Sequence, residues 1–243
     1  MKTYEVSDFG ALVRGNSYVG RGILTGMTPE GNAFNAYFIM GRSENSRNRV
    51  FVKKDGALFT EPYDPSRVSD PSLIIYAAVR EYENHLIVTN GDQTDTIYEG
   101  LAKGKCMRGA LKSRKFEPDA PNFTPRISSV TDFADGSFLY SMSILKSGDE
   151  AGEVCNRFTF DYEPLPGVGH FLHTYEGDGN PLPTFRGEPE RVAIPSDTDA
   201  FAEEIWNALD ENNKISLYVR VTDPKTGAYR ERIINKYTRK NKE

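Results

Sequence analysis

The amino-acid sequence predicts an α+β fold. Three observations carry that expectation: many short apolar runs separated by turn residues, only two stretches with a helical spacing of apolar residues, and hairpin-like connections in place of strand–helix alternation. Nothing in the order of elements suggests a doubly wound sheet with a glycine-rich dinucleotide loop.

Gly22 to Gly26 leads into the turn residues Thr28-Pro29-Glu30-Gly31-Asn32, and Ala33 to Met40 reads as the returning strand. Val50-Phe51-Val52 and Ala57-Leu58-Phe59 flank Lys54-Asp55-Gly56, the pattern of a hairpin. Glu61 to Pro71 is polar and proline-rich, hence a loop. Leu73 to Val79 and His85 to Val88 suit two buried strands. From Thr94 to about Arg114, Ile97, Leu101, Met107, Ala110 and Leu111 supply an apolar helix face interrupted by three glycines. Phe116 to Pro125 carries three prolines and reads as a loop. Ile127 to Phe133 and Ser137 to Leu145 pair around Asp135-Gly136, and Arg157 to Tyr162 is a further strand. Leu165 to Pro195, dense in glycine and proline, is expected to be mostly loop with short extended pieces. Asp197 to Leu209 is an amphipathic helix with Asp197 or Thr198 as cap and Phe201, Ile205, Trp206 and Leu209 on one face. Ile215 to Val221 and Tyr229 to Ile234 close a last hairpin.

The chain reads as one domain over residues 1–243, with residues 1–17 as an N-terminal extension and 236–243 as a charged, solvated tail. Its 243 residues are enough for a full core. The formal net charge is -5, from 30 basic and 35 acidic residues, which argues against broad nucleic-acid binding but not against a small anionic ligand held by a few local arginines. No basic-then-apolar leader and no apolar run of membrane-spanning length is evident, so a cytoplasmic location without membrane contact is expected. Two cysteines cannot make a disulfide framework; Cys106, within the helical stretch, is expected to be a small buried hydrophobe.

The segment Thr89-Asn90-Gly91-Asp92-Gln93-Thr94-Asp95 joins an apolar run to a helical pattern and so places backbone N–H groups, an amide and a carboxylate at a sheet rim, a suitable place for a polar ligand. Its residues equally suit a turn and a helix cap. It occurs with Tyr18-Val19-Gly20-Arg21, Gly41-Arg42-Ser43 leading to Asn48-Arg49, Ile75-Tyr76 and Thr124-Pro125-Arg126-Ile127, and with a weaker echo at Thr174-Tyr175-Glu176. In that order and spacing the chain resembles the archaeal-type IMP cyclohydrolase family over most of residues 18–130.

The resemblance implies a four-layer α-β-β-α sandwich similar to N-terminal-nucleophile hydrolases. It implies ring closure of the formamidoimidazole carboxamide ribotide to inosine monophosphate with loss of water, without metal or cofactor, on a small purine nucleotide and in a possible homo-oligomer. Tyr76, Glu117 and Asn90 are then the expected catalytic residues: Tyr76 orienting substrate or donating to the formyl oxygen, Glu117 transferring the proton with Asp119 as rival, and Asn90 presenting an amide. Arg42, Ser43, Arg49, Asp95 and Arg126 are the expected substrate-binding residues, with Tyr175 and Glu176 on the opposite rim. Gln93 stands where the archaeal proteins tend to carry histidine, and glutamine cannot titrate. The arginine loop appears two residues longer than the family's.

Three other readings stay open. His170, His173, Glu176 and Asp178 lie close enough in sequence for a metal hydrolase. The arginines and Asn90 would also serve a non-catalytic nucleotide-binding module. An amide hydrolase on the same fold is disfavoured because Met1-Lys2-Thr3 offers no direct N-terminal nucleophile.

Overall fold

A computed structural model describes residues 4–68 and 75–238. The order of elements is α1 (Phe9–Val13), β1 (Arg21–Met27), β2 (Ala33–Met40), α2 (Glu44–Arg47), β3 (Val50–Lys54), β4 (Ala57–Glu61), β5 (Tyr76–Tyr82), β6 (His85–Thr89), α3 (Gln93–Ala102), α4 (Met107–Ala110), β7 (Arg126–Ala134), β8 (Ser137–Ser147), β9 (Cys155–Tyr162), β10 (Val168–His173), β11 (Glu190–Ala193), α5 (Thr198–Ala208), β12 (Lys214–Thr222) and β13 (Tyr229–Asn235). All ladder pairings are antiparallel. One sheet has the order β11-β10-β1-β2-β12-β13 and the other β3-β4-β5-β6-β7-β8-β9. The α+β expectation and most hairpins are met.

The strand period of two sorts side chains into separate cores. On β2, Phe34, Ala36, Phe38 and Met40 face α1 and α5, whereas Ala33, Tyr37 and Ile39 face the second sheet. Both faces of β2 are therefore covered, which explains why every position but Asn35 is apolar. Between the sheets, Ile23, Tyr37 and Leu172 meet Tyr76, Val88, Ile127 and Ile144. On the far side of the second sheet, Ile87 and Val130 pack against Ile97, Met107 and Leu111. Each fully buried large apolar side chain contributes about 1.5–3 kcal/mol relative to exposure. Among the described residues no helix is long and apolar enough to cross a membrane.

Several expectations need correction. The helix expected from Thr94 to Arg114 is broken: Gly104 takes φ +71° and the amides of Gly104 and Lys105 return to the carbonyls of Leu101 and Gly100, a left-handed helix stop. Cys106 then sits exposed at the start of α4 instead of being buried. Within the expected loop from Leu165 to Pro195, β10 is an interior strand paired with β1 from Gly22↔His173 to Gly26↔Gly169, and β11 flanks it. The glycines that read as loop signals are what this pair requires, since a Cβ on Gly26 would lie 2.3 Å from the Gly169 Cα. The expected N-terminal extension packs, over residues 4–17, onto the rest of the chain. Asp8 caps α1 by accepting from the Ala11 amide, and Phe9 is buried edge-on against Phe38, Phe171 and Phe201. Of the expected strand Leu73 to Val79, the part from 76 onward is β5; residues 69–74 fall outside the described residues, as do 239–243 of the charged tail. Tyr237, assigned to that tail, stacks on Tyr63 at 4.9 Å between ring centres.

Candidate active site

Four connections meet at one end of the sandwich: the entry to β1, the β2–β3 link with α2, the loop of residues 116–125, and the chain after β10. They enclose a cleft of about 330 Å³ walled by Tyr18, Arg21, Arg42, Arg49, Glu117 and Tyr175, among others. A roomier depression of about 410 Å³ lies on the outer face of β8 and β9, lined by Met107, Leu139 and Tyr140. It lacks the convergent buried charges of the first, and those charges identify the cleft as the candidate site.

Glu117 is 3% exposed, and its Oε2 lies 3.4 Å from Arg21 Nη2. Its loop is pinned by the Glu117 amide donating to the Thr124 carbonyl. Burial pushes the Glu117 carboxyl above its ordinary value; Arg21 and Arg126 oppose the shift and Asp119 adds to it. Arg21 stays charged throughout. Asp119, the rival carboxylate, spends both oxygens within the loop, accepting from the Thr124 amide at 2.7 Å and the Thr124 hydroxyl at 2.5 Å. Thr124 Oγ1 in turn lies 2.6 Å from the Tyr175 hydroxyl, which fixes that wall.

Arg49 is 5% exposed; its Nε donates to the Ser46 carbonyl, while its Nη1 and the Nε of Arg21 are buried with no hydrogen-bond partner among the described residues. An unpaired buried donor costs about 1–3 kcal/mol, so two of them at one cleft mark a place suited to an anionic or carbonyl oxygen. Arg42 stands at the rim, donating to Asp178 Oδ1 at 2.5 Å and to the Gly179 carbonyl at 2.7 Å, with its guanidinium 5.4 Å from the centre of the Tyr18 ring. Ser43 also borders the cleft, but its hydroxyl accepts from the Ser46 amide as the cap of α2.

Below the cleft floor the Tyr76 hydroxyl lies 2.8 Å from that of Tyr37, joining the two sheets. Arg126 Nη1 donates to Gln93 Oε1 at 2.7 Å and contacts Asp92 Oδ1 at 2.5 Å. Burial drives the Asp92 carboxyl up, but Arg114 and Arg126 outweigh it and hold the group below its ordinary value. Asn90 is fully buried: Oδ1 accepts from the Ile127 amide and Gln93 Nε2, and Nδ2 donates to the Pro125 carbonyl. It therefore positions the turn that carries Arg126 and does not line the cleft.

Of the residues singled out from the sequence, Arg42, Ser43, Arg49 and Glu117 meet at the cleft, and Tyr76 and Arg126 lie beneath it. Asp95 does not join them; it is exposed on α3 and pairs with Arg80 at 2.6 Å. Asp95→Asn is expected to change turnover less than twofold and stability by less than about 1 kcal/mol, as for an exposed pair, read by an activity assay beside urea unfolding. Tyr175 lines the cleft, whereas Glu176 turns away to Arg186. The residue that sequence reasoning missed is Arg21: it belonged to a quoted motif, but nothing before the fold was known placed it against Glu117, 96 residues away.

The ligand set of the alternative metal-hydrolase reading does not assemble among the described residues. His170 stacks on Tyr162 with ring centres 3.6 Å apart, and burial with nearby Arg191 pushes it down to about 4. His173 points to the other face of β10, between the Tyr175 carbonyl and Glu190. Among the described residues no group of three or more potential ligands is placed to hold a metal ion.

Residues 18–227 match the family described as IMP cyclohydrolase-like protein. Similar proteins include the IMP cyclohydrolase of Methanopyrus kandleri, 40% identical over 119 residues, covering 47% of this chain and 59% of that protein. That of Methanocaldococcus jannaschii is 32% identical over 117 residues, covering 47% and 57%. That of Methanococcus aeolicus is 30% identical over 164 residues, covering 65% and 74%. The chain thus spans less than two thirds of the length of the first two relatives. With the match running from the entry of β1 to the last hairpin and taking in every wall of the cleft, the chain belongs to the IMP cyclohydrolase-like protein family.

Proposed function

We propose that this protein is an IMP cyclohydrolase, closing the formamidoimidazole carboxamide ribotide to inosine monophosphate in purine biosynthesis. The observation that carries the reading is a buried carboxyl of raised pKa, Glu117, set among arginines with unspent N–H donors inside the segment matched to the family. In the reaction the carboxamide nitrogen attacks the formyl carbon of the same molecule. A C–N bond forms, the carboxamide nitrogen and the formamido nitrogen each give up one proton, and the formyl C–O bond breaks: the oxygen leaves as water with both protons while the formamido nitrogen becomes doubly bonded to the former formyl carbon.

Orientation of the two reacting groups supplies a large part of the rate. Arg49 and Arg42 are assigned to the phosphate or the base, where paired donors suit an oxyanion. Arg21 faces the reacting oxygen and stabilises the charge that develops there. Glu117 accepts the amide proton and returns a proton to the departing oxygen, a role that a carboxyl of raised pKa fits near neutrality. Tyr76 acts from below by tying the two sheets together through the Tyr37 hydroxyl. No metal, redox or group-transfer cofactor is required by these steps. We assign the architecture to the four-layer α-β-β-α sandwich of N-terminal-nucleophile hydrolases, supported by two stacked antiparallel sheets with helices on their outer faces. The ligand is a small purine nucleotide, the location cytoplasmic, and the assembly homo-oligomeric.

The test is the absorbance change on forming inosine monophosphate from the formamido ribotide. Turnover supports the assignment; product binding without turnover would replace it with a nucleotide-binding module, and neither would overturn both. Arg49→Ala is expected to raise KM about 10- to 100-fold with a smaller effect on kcat, the loss of one or two charge-assisted hydrogen bonds. An unchanged KM would remove Arg49 from the substrate contacts.

A further inference from the structure

Among the described residues, strand β9 is a free edge of the seven-stranded sheet, with β8 as its single ladder partner. The opposite edge, β3, packs against β12 and β13 of the other sheet. Edge strands that stay single are usually short, kinked, covered, or guarded by proline or by charged side chains, lysine above all. β9 runs for eight residues, Cys-Asn-Arg-Phe-Thr-Phe-Asp-Tyr, without proline, glycine or lysine, and its register to β8 is unbroken from Tyr140↔Tyr162 to Ser147↔Cys155. Exposed apolar side chains gather along it: Phe158 is 43% exposed and Val154, just before the strand, 54%, while Leu139 on β8 and Leu165 beyond the far end are 55% and 52% exposed.

The text of the strand is complementary to itself. Laid antiparallel on a second copy about a two-fold axis at Thr159, Arg157 falls opposite Asp161 of the copy, and Asp161 opposite its Arg157. Phe158 falls opposite Phe160, and Thr159 opposite Thr159. Faces agree as well as charges. Arg157 reaches the Arg114 carbonyl and Asp161 accepts from Ser141, both on the helix-bearing side of the sheet, whereas Phe160 and Tyr162 face inward. Directly opposed unlike charges and aromatic pairs are the favourable cross-strand combinations, each contributing in the same direction.

We propose that β9 is a homodimerisation edge, at which two copies of this chain pair antiparallel about Thr159 and join their seven-stranded sheets into one. The inference stands independently of the enzymatic assignment, because β9 contributes no residue to the cleft.

Opposed residues at such an axis have Cα atoms about 4.5–5.5 Å apart, within the span of a disulfide. With both native cysteines replaced (Cys106→Ser, Cys155→Ser), Thr159→Cys is expected to give an air-oxidised dimer on a non-reducing gel, and Asn156→Cys is not. Sedimentation velocity of the otherwise native chain should show a dimer. Arg157→Asp or Asp161→Arg alone sets like charges opposite each other and should weaken it at least tenfold, and the exchange R157D/D161R should restore it. Circular dichroism melts confirm that each variant is folded. A monomeric wild type at about 50 μM, a concentration that populates any dimer of low-micromolar Kd, would overturn the proposal. So would dimers that both single variants leave intact, or a folded double variant that fails to recover.

Discussion

Glu117→Gln is expected to lower kcat about 10²- to 10⁴-fold, the usual worth of a positioned acid–base group, while leaving the fold intact. Glutamine keeps the shape of the side chain and an oxygen toward Arg21, so packing in the loop of residues 116–125 is preserved, but it can neither take nor return a proton. The pH profile separates this from a merely structural loss. Burial holds the Glu117 carboxyl above its ordinary value of 4.5. Between 4.5 and its raised value the group is therefore protonated in the folded protein and unable to accept the amide proton. Wild-type kcat/KM should rise with pH through one protonic step placed above the normal carboxylate range, and the variant should lack that step. A variant that retains the same limb, or more than a tenth of wild-type turnover, would move the proton transfer to another group.

Removing the partner of that carboxyl should cost the most stability. Arg21 and Glu117 are 6% and 3% exposed, and deleting one member of a buried ion pair costs about 3–5 kcal/mol because the other is left charged in a poor dielectric. Arg21→Leu should show this loss in urea unfolding at pH 8. The sign of its pH dependence follows from linkage. Glu117 already has a folded pKa above its unfolded one, and losing Arg21 raises it further. The folded state then binds the proton more tightly, so stability falls as pH rises through the folded value and is regained as pH falls. The penalty at pH 5 should be clearly smaller than at pH 8. Replacing both residues by leucine should recover much of the loss, because no buried charge remains. Equal penalties at the two pH values would show that Arg21 contributes by packing alone.

The regular parts of the fold were legible because burial on one or two faces writes itself into the sequence. Ala33 to Met40 is apolar at every position but Asn35 because both faces of β2 are covered, and Phe201 and Ile205, with Leu209 just after the helix, mark one face of α5 at helical spacing. Two of the misread elements turn on glycine, which signals local backbone freedom and close packing alike. At Gly104 it ends a helix; at Gly26 and Gly169 it lets two strands approach, and only the second use is tertiary. Asn90 shows the same limit at the site. Its amide is spent on Pro125, Ile127 and Gln93, partners 35 residues and more away for the first two, and no local pattern reveals whether an asparagine faces a ligand or braces a turn. Glu117 and Arg49 emerged through a family resemblance, not through spacing. Arg21 required the fold, since its role depends on a carboxylate from the other sheet's connection.

That last pairing bears on how the protein matures. Arg21 begins a strand of one sheet and Glu117 leaves the helical layer of the other, so neither half of the sandwich contains a cleft. Contacts this distant along the chain form late and slowly, after local hairpins are in place. A newly made chain can carry nearly all of its strands and still have nowhere to seat an anion; competence arrives in one step, when the two sheets dock.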